Sequence, residues 1–146
     1  MDFYLTETQK QVKNLAREFA ENEIAPHIRK FDATGEFPTE IMKKLGEIGF
    51  LGITFPEKYG GAGLSYLDYV VIIEEISRVD PSIGLSVSAH NGLCTNHIFM
   101  FGSEEQKQKY LPDLCTGKKI GAWALTEPQA GSDAANLLTS AVREGD

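Results

Sequence analysis

Cysteine is scarce, with only Cys94 and Cys115 in 146 residues. That excludes a disulfide-stapled framework and suits a reduced, cytosolic protein. Basic charge is in deficit: 14 Lys+Arg stand against 21 Asp+Glu, a formal net charge of −7. A nucleic-acid groove needs clustered Lys and Arg to release counterions, so no nucleic-acid partner is expected. Uninterrupted apolar runs are short of the ~18 residues that a membrane span requires. The most apolar region, Ile83 to Phe101, is broken by His90, Asn91, Asn96 and His97. The start, Met1-Asp2-Phe3-Tyr4-Leu5, has no basic n-region and no long apolar h-region, so it does not read as a secretory signal. It is also not Arg-rich enough for an organelle presequence. Repeats and low-complexity tracts are absent.

What is there is a globular balance, 42% hydrophobic and 24% charged, enough to build a real core without disulfides. Charge thins between residues 51 and 100, which marks that third as the expected core. Helix signals dominate up to about residue 116. Thr6-Glu7-Thr8-Gln9 fits a capping box, followed by Val12, Leu15, Ala16, Phe19 and Ala20 at helical spacing, with Pro26 near the end. Pro38-Thr39 opens a second helix through Ile41, Met42, Leu45 and Ile48, ending at Gly49. Ser65 starts a third that stops before Asp80-Pro81. A fourth, rich in small residues, runs from Pro81-Ser82 to about Phe101-Gly102. Ser103-Glu104-Glu105-Gln106 is another capping box and opens a fifth helix, with Pro112 placed to kink or loosen its end. Short connections favour antiparallel neighbours. Val70, Ile73, Ile76, Leu85 and Leu93 are expected to be buried.

After Cys115-Thr116-Gly117 the character changes. Ile120 to Thr126 is short and apolar, bounded by Gly117 and Pro128, and reads as a buried strand; Thr139 to Arg143 reads as a second. The expected fold is therefore mainly α: an antiparallel helical bundle over residues 1–116, followed by the first strands of an incomplete β domain over 117–146. Two strands are not a stable sheet alone, so the part from about Gly117 onward is expected to be the least stable, with Trp123 and Leu125 exposed. Bare apolar faces on such a fragment predict self-association.

The most specific feature is Thr126-Glu127-Pro128-Gln129-Ala130-Gly131-Ser132-Asp133. Pro128 cannot donate to a ladder, so the strand stops there and the backbone groups around Leu125–Glu127 are freed to bond something else. Gly131 allows close backbone approach, and Ser132 can offer a hydroxyl and an N–H to a phosphate. Trp123 adds a flat ring with one donor. The set suits a planar heteroaromatic ligand with a hydrogen-bonding edge. A plain strand-to-turn junction, with an Asx-type turn at Asp133, accounts for the same residues.

The stretch Trp123-Ala124-Leu125-Thr126-Glu127-Pro128 with Ala130-Gly131-Ser132-Asp133 closely resembles the flavin-binding signature of the acyl-CoA dehydrogenase family. Leu5-Thr6-Glu7-Thr8-Gln9, Glu57-Lys58-Tyr59-Gly60-Gly61, Gly102 to Lys107 and Lys109-Tyr110-Leu111-Pro112 resemble that family in the same order. The resemblance implies an α-helical N-terminal domain, a β domain and a second helical domain, with FAD largely at a subunit interface. It implies α,β-dehydrogenation of an acyl-CoA thioester, a homo-oligomer and an electron-accepting flavoprotein as partner. Carried over position by position, Trp123, Ala124, Leu125, Thr126, Glu127, Pro128, Gln129, Ala130, Gly131 and Ser132 would contact FAD. Thr126 would hydrogen-bond the flavin ring, and Ser132 would also touch the CoA part of the substrate. Gln129 stands where many relatives carry Gly. The family's catalytic glutamate lies in its C-terminal domain, so no catalytic residue is expected in this chain, and Glu127 belongs to the signature. A truncated relative acting as a non-catalytic helical interaction module is the alternative.

Other candidates carry weaker signals. Gly84, Ser88 and Gly92 recur at four-residue spacing on the fourth helix, which suits either close helix packing or a groove. By resemblance the groove would be a wall of the acyl-chain pocket, with Ser86, Ala89 and Leu93 as substrate contacts. Tyr59-Gly60-Gly61-Ala62-Gly63 has no Gly-Lys-Ser/Thr after it and reads as a structural inter-helix loop. His90 and His97 share a helix face but lack further ligands at matched spacing, so no metal is expected. Cys94 reads as a small core residue and Cys115 as a helix-end one.

Overall fold

The computed structural model describes residues 4–145. Residues 1–3, and with them most of the stretch read for a signal, lie outside that range, as does Asp146.

Local signals set the helix starts. α1 spans Glu7–Phe19 and opens with the expected box: the Gln9 N–H donates to Thr6 Oγ1 at 3.2 Å, and the Thr6 N–H donates to Gln9 Oε1 at 2.9 Å. The chain stays helical beyond Phe19 through a π turn, Ala20–Ile24, and a 3₁₀ turn, Ala25–His27, that absorbs Pro26. It then adds α2, Ile28–Thr34, closed by Gly35 at φ 67°. The sequence pattern ends the first helix near Pro26 and carries no separate signal for α2. α3 covers Thr39–Glu47, α4 Tyr66–Val79 and α5 Pro81–Ser88. Ser65 and Asp68 cap α4 reciprocally, and Asp80 Oδ1 accepts the Ser82 and Ile83 N–H groups at the head of α5. A π-helical stretch, Ala89–Thr95, joins α5 to α6, Asn96–Phe101. α7, Glu104–Cys115, starts at the Ser103–Gln106 box and runs through Pro112.

The packing is not uniformly antiparallel. Lys13 pairs with Glu74, Arg17 with Glu75 and Glu21 with Arg78, so residue numbers rise together along α1 and α4 and the two run parallel. The long connection through α2 and α3 permits this, because it brings the chain back before α4 begins. α4 and α5 are antiparallel: Ser77 meets Gly84, while the Tyr69 hydroxyl donates to the Ser88 carbonyl at 3.3 Å.

Ala16, Ala20, Ile24, Met42, Leu45, Leu51, Ile72, Ile76 and Val87 form the main core. Phe55, Tyr59, Leu111 and Cys115 form a second cluster, against which Phe99 packs edge-on. The expected burial is right for Ile76 and wrong for Val70, Leu85 and Leu93, which are 60%, 69% and 45% exposed; Ile73 is half-buried. The inward face of α4 is Asp68, Val71, Ile72, Glu75 and Ile76. Val70 lies about 200° round the helix from Asp68, on the opposite side.

The expected strands do not form a ladder. Among the described residues the one bridge is Glu127 to Ala130, and Ile120–Thr126 and Thr139–Arg143 are non-helical without strand pairing. No third strand is at hand to pair with either segment, and a lone two-stranded ribbon is marginal in water. Residues after Gly117 are nonetheless tied to the bundle, because the Gly121 N–H donates to His90.

Candidate functional site

The site begins at a buried polar pair inside the least charged helix. His90 and Asn91 are adjacent on the π-helical stretch, and both are buried. Beside them runs residues 50–55, a loop in which Phe50, Leu51, Ile53 and Phe55 are all buried. A buried loop leaves backbone groups without ladder partners, and these must be satisfied by something. Asn91 Nδ2 donates to the Phe50 carbonyl at 3.0 Å, and its Oδ1 accepts the Ile53 N–H at 3.2 Å. His90 Nε2 lies 3.1 Å from the carbonyls of both Leu51 and Leu114. His90 Nδ1 lies 2.9 Å from the Gly121 nitrogen. Burial pushes the His90 imidazole below its ordinary pKa.

From Gly121 the chain crosses the bundle surface. Trp123 packs against His97 with ring centroids 4.0 Å apart and the rings tilted by 51°, and remains 37% exposed. Leu125 is half-buried, so the expected exposure holds for Trp123 and only partly for Leu125. From Trp123 to Thr126 the backbone makes no hydrogen bond to other described residues. The Thr126 and Ser132 hydroxyls are exposed and take no partner among them. A tight turn follows: Glu127 and Ala130 exchange backbone hydrogen bonds of 2.8 and 3.1 Å around Pro128-Gln129, and Ala130 is buried. Gly131 has open space where a side chain would be.

Glu127 organises the loop that follows. Its carboxylate accepts the N–H groups of Leu138 and Thr139 at 2.8 and 3.0 Å, together with the Thr139 hydroxyl and the Gln129 amide. These donors, the Leu138 N–H first, hold its pKa down to about 2. A carboxylate so engaged stays ionised and is poorly suited to take a proton. The Asp133 turn uses its backbone: the Asn136 N–H donates to the Asp133 carbonyl at 3.1 Å.

The second candidate set is not gathered. Ser86 is half-buried, its hydroxyl donates to the Ser82 carbonyl at 2.9 Å, and it borders a cleft of about 270 Å³ lined by Phe31, Phe37, Pro38 and Ile83. Ala89 and Leu93 do not line that cleft. At Gly84 the small-residue stripe is close packing, since a Cβ there would lie 2.0 Å from Ser77 Oγ. The Gly60–Gly63 loop is also structural: a Cβ on Gly61 would meet the Phe55 carbonyl at 2.1 Å. Among the described residues no group of three or more His, Cys, Asp or Glu gathers as a metal site, and no helix is long and apolar enough to cross a membrane.

Trp123 to Ser132 is thus one continuous segment: Trp123–Thr126 makes no backbone hydrogen bond to other described residues, Glu127–Ala130 closes a paired turn with Ala130 buried, and the Thr126 and Ser132 hydroxyls are exposed. His90, Asn91 and Gly121 are the residues that reading by motif did not assign. The available signal was two polar side chains inside an almost uncharged helix, which must find partners when buried.

The fold is a helical domain with an exposed, non-helical segment packed at one edge. A family profile described as the N-terminal domain of acyl-CoA dehydrogenase matches residues 6–118, and the chain belongs to the acyl-CoA dehydrogenase family. It is 50% identical over 146 residues to the short-chain-specific acyl-CoA dehydrogenase of Clostridium acetobutylicum, covering 100% of this chain and 38% of that protein. A solved structure described as an electron transferring flavoprotein of Acidaminococcus fermentans contains a chain with the same fold. Its TM-score is 0.93 at 49% identity, covering 100% of this chain and 38% of that one. An acyl-CoA dehydrogenase complexed with FAD, from Bacillus anthracis, gives a TM-score of 0.86 at 38% identity over 92% of this chain and 23% of that one. The chain therefore spans well under half the length of these relatives.

Proposed function

We propose that this chain is the N-terminal portion of an FAD-dependent dehydrogenase acting on acyl-CoA thioesters, and that Trp123 to Ser132 contact the flavin. The observation that carries the reading is the open state of that segment. Buried polar groups elsewhere in the bundle are nearly all satisfied, yet the backbone of Trp123–Thr126 and the hydroxyls of Thr126 and Ser132 have no partner among the described residues. A flat heteroaromatic edge with donors and acceptors fits such a strip.

When bound, FAD would supply the hydride-accepting chemistry. This chain's residues would bind and orient it. The Thr126 hydroxyl would donate to the ring edge and favour its reduced, anionic form. Ser132, with open space at Gly131 beside it, would reach the CoA side. Glu127 would hold the loop shape through Leu138 and Thr139 and leave proton abstraction to a base outside this chain. Residues 117–146 would open a β domain, with Ile120–Thr126 and Thr139–Arg143 becoming strands once further strands pair with them. Ser86, Ala89 and Leu93 would face the acyl chain only if that domain completes the wall. Acyl-CoA, further copies of the protein and an electron-accepting flavoprotein are the proposed partners.

The test is direct. Purified as the product of its natural gene, the protein should carry FAD, and some member of a panel of acyl-CoA thioesters should bleach its visible absorbance. A folded product without flavin would refute the assignment and favour a non-catalytic helical module.

A further inference from the structure

His90 and Gly121 form a contact that neither the signature nor the family match accounts for. The imidazole is wholly buried. Its Nε2 faces two acceptors, the carbonyls of Leu51 and Leu114, each at 3.1 Å, so Nε2 must carry the hydrogen. Its Nδ1 faces a donor, the Gly121 N–H, at 2.9 Å, so Nδ1 must be bare. Only one neutral tautomer satisfies all three partners. The ring therefore bonds the buried loop after α3, the end of α7 and the segment that leads into the flavin-contact turn.

Gly121 shows how close that segment lies. A Cβ built there would sit 2.7 Å from Cys94 Sγ and 2.8 Å from Cys94 Cβ. Any side chain would lift the backbone from the π-helical stretch and break the bond to Nδ1. Two residues on, Trp123 packs at a tilt against His97, further along the same helical run. The segment is thus held in register at Gly121 and Trp123.

We propose that His90, as its Nε2–H tautomer, is a positioning residue that fixes the register of the flavin-contact segment on the helical domain. It touches no substrate and no cofactor; it acts through Gly121. The functional consequence rests on the flavin reading above, whereas the register itself does not.

Two variants separate the two edges of the ring. His90→Gln keeps a donor near the Nε2 position for the carbonyls and loses the acceptor facing Gly121. His90→Asn keeps an acceptor near the Nδ1 position and loses the donor. Trp123 is the one tryptophan in these 146 residues; with any tryptophan beyond them replaced by phenylalanine, its emission and its quenching by acrylamide report the segment alone. In His90→Gln the Gly121 amide should exchange about tenfold faster, as loss of one hydrogen bond implies, and Trp123 quenching should rise. Amides of Ile72 and Ile76 should keep their protection. In His90→Asn, Trp123 quenching should stay at the wild-type value even where global stability falls. In the wild type, nitrogen shifts should show a bare Nδ1, with a scalar coupling across the bond from the Gly121 amide.

A folded His90→Gln protein with unchanged Gly121 exchange and Trp123 quenching would overturn the proposal. Should that variant not fold, Gly121→Ala makes the same test from the other side: it should raise Trp123 quenching above the wild-type value while leaving the His90 bonds to Leu51 and Leu114 intact. Unchanged quenching in Gly121→Ala would equally overturn it. All of these are read without flavin. Absence of FAD from the natural gene product would refute the flavin reading and leave these results unaltered.

Discussion

Replacing Glu75 by Gln should destabilise the domain near neutral pH and have little effect in acid. The Glu75 side chain is 3% exposed and sits where three cations converge. Arg17 donates through Nε at 3.0 Å and Nη2 at 2.9 Å, Arg78 through Nε at 3.2 Å, and Lys13 lies at 3.4 Å. Together they hold α1 against α4. The Arg17 guanidinium above all lowers the Glu75 pKa from 4.5 to about 2. A shift of about 2.5 pH units corresponds to roughly 3 kcal/mol of preference for the ionised folded state. The arginines are about half exposed and re-solvate when the carboxylate is lost, which reduces the net effect to about 2 kcal/mol. For a chain of this size that is a fall in Tm of roughly 6–8 °C. The sign follows from the direction of the shift. A depressed folded pKa gives stability that is present above the unfolded value, 4.5, and lost as pH falls towards about 2. The variant lacks the group, so the two unfolding free energies, measured by urea titration, should differ at pH 7 and converge between pH 4.5 and 2. Parallel curves across that range, or equal stability at pH 7, would refute the reasoning.

Gly84→Ala should cost about 1–3 kcal/mol, seen as a lower urea midpoint, because its Cβ would lie 2.0 Å from Ser77 Oγ; Ser77→Gly in the same chain should recover most of the loss. Thr126→Val, made in the flavin-loaded gene product, should lower the flavin midpoint potential by tens of millivolts without emptying the site. A hydrogen bond to a charged group is worth roughly 1.5–3 kcal/mol, and ~30 mV corresponds to about 1.4 kcal/mol for two electrons. Cys115 is fully buried, and burial pushes its thiol up to about 11, so in the folded protein it should react with a disulfide reagent far more slowly than after denaturation. A rate at Cys115 equal to that of the unfolded chain would contradict the burial.

The parts of the fold legible in the sequence are those written within a few residues of one another. The boxes at Thr6–Gln9 and Ser103–Gln106 form as the spacing says, because a cap joins groups three positions apart and needs nothing from the rest of the chain. The stop at Asp80-Pro81 is local in the same way, since Pro81 suits a first helical turn and Asp80 caps it. Which side of a helix faces inward is different. α4 is apolar on most of its circumference, so Val70 and Val71 read alike, and only the position of α1 and α5 sends Val71 inside and Val70 out. The strands after Gly117 fail to form for a related reason: an apolar run specifies that it can pair, and pairing also requires other strands.

The candidate site divides along the same line. The turn from Trp123 to Ser132 is legible because its chemistry lies in its own residues: a proline that ends pairing, a glycine that leaves space, two hydroxyls. What seats that turn is not legible, because His90 works through backbone atoms of Leu51, Leu114 and Gly121, 24 to 39 residues away in sequence. Backbone partners carry no residue type to search for. The trace they leave is indirect: a histidine and an asparagine side by side where the surrounding helix has no charge, and a glycine where the chain must pass close to a sulfur. Both polar side chains lie on the π-helical stretch Ala89–Thr95 and are buried from consecutive positions. The helical domain therefore does more than flank the segment from Trp123 to Ser132. With one imidazole it joins the close of α7, the buried loop and Gly121, two places before Trp123.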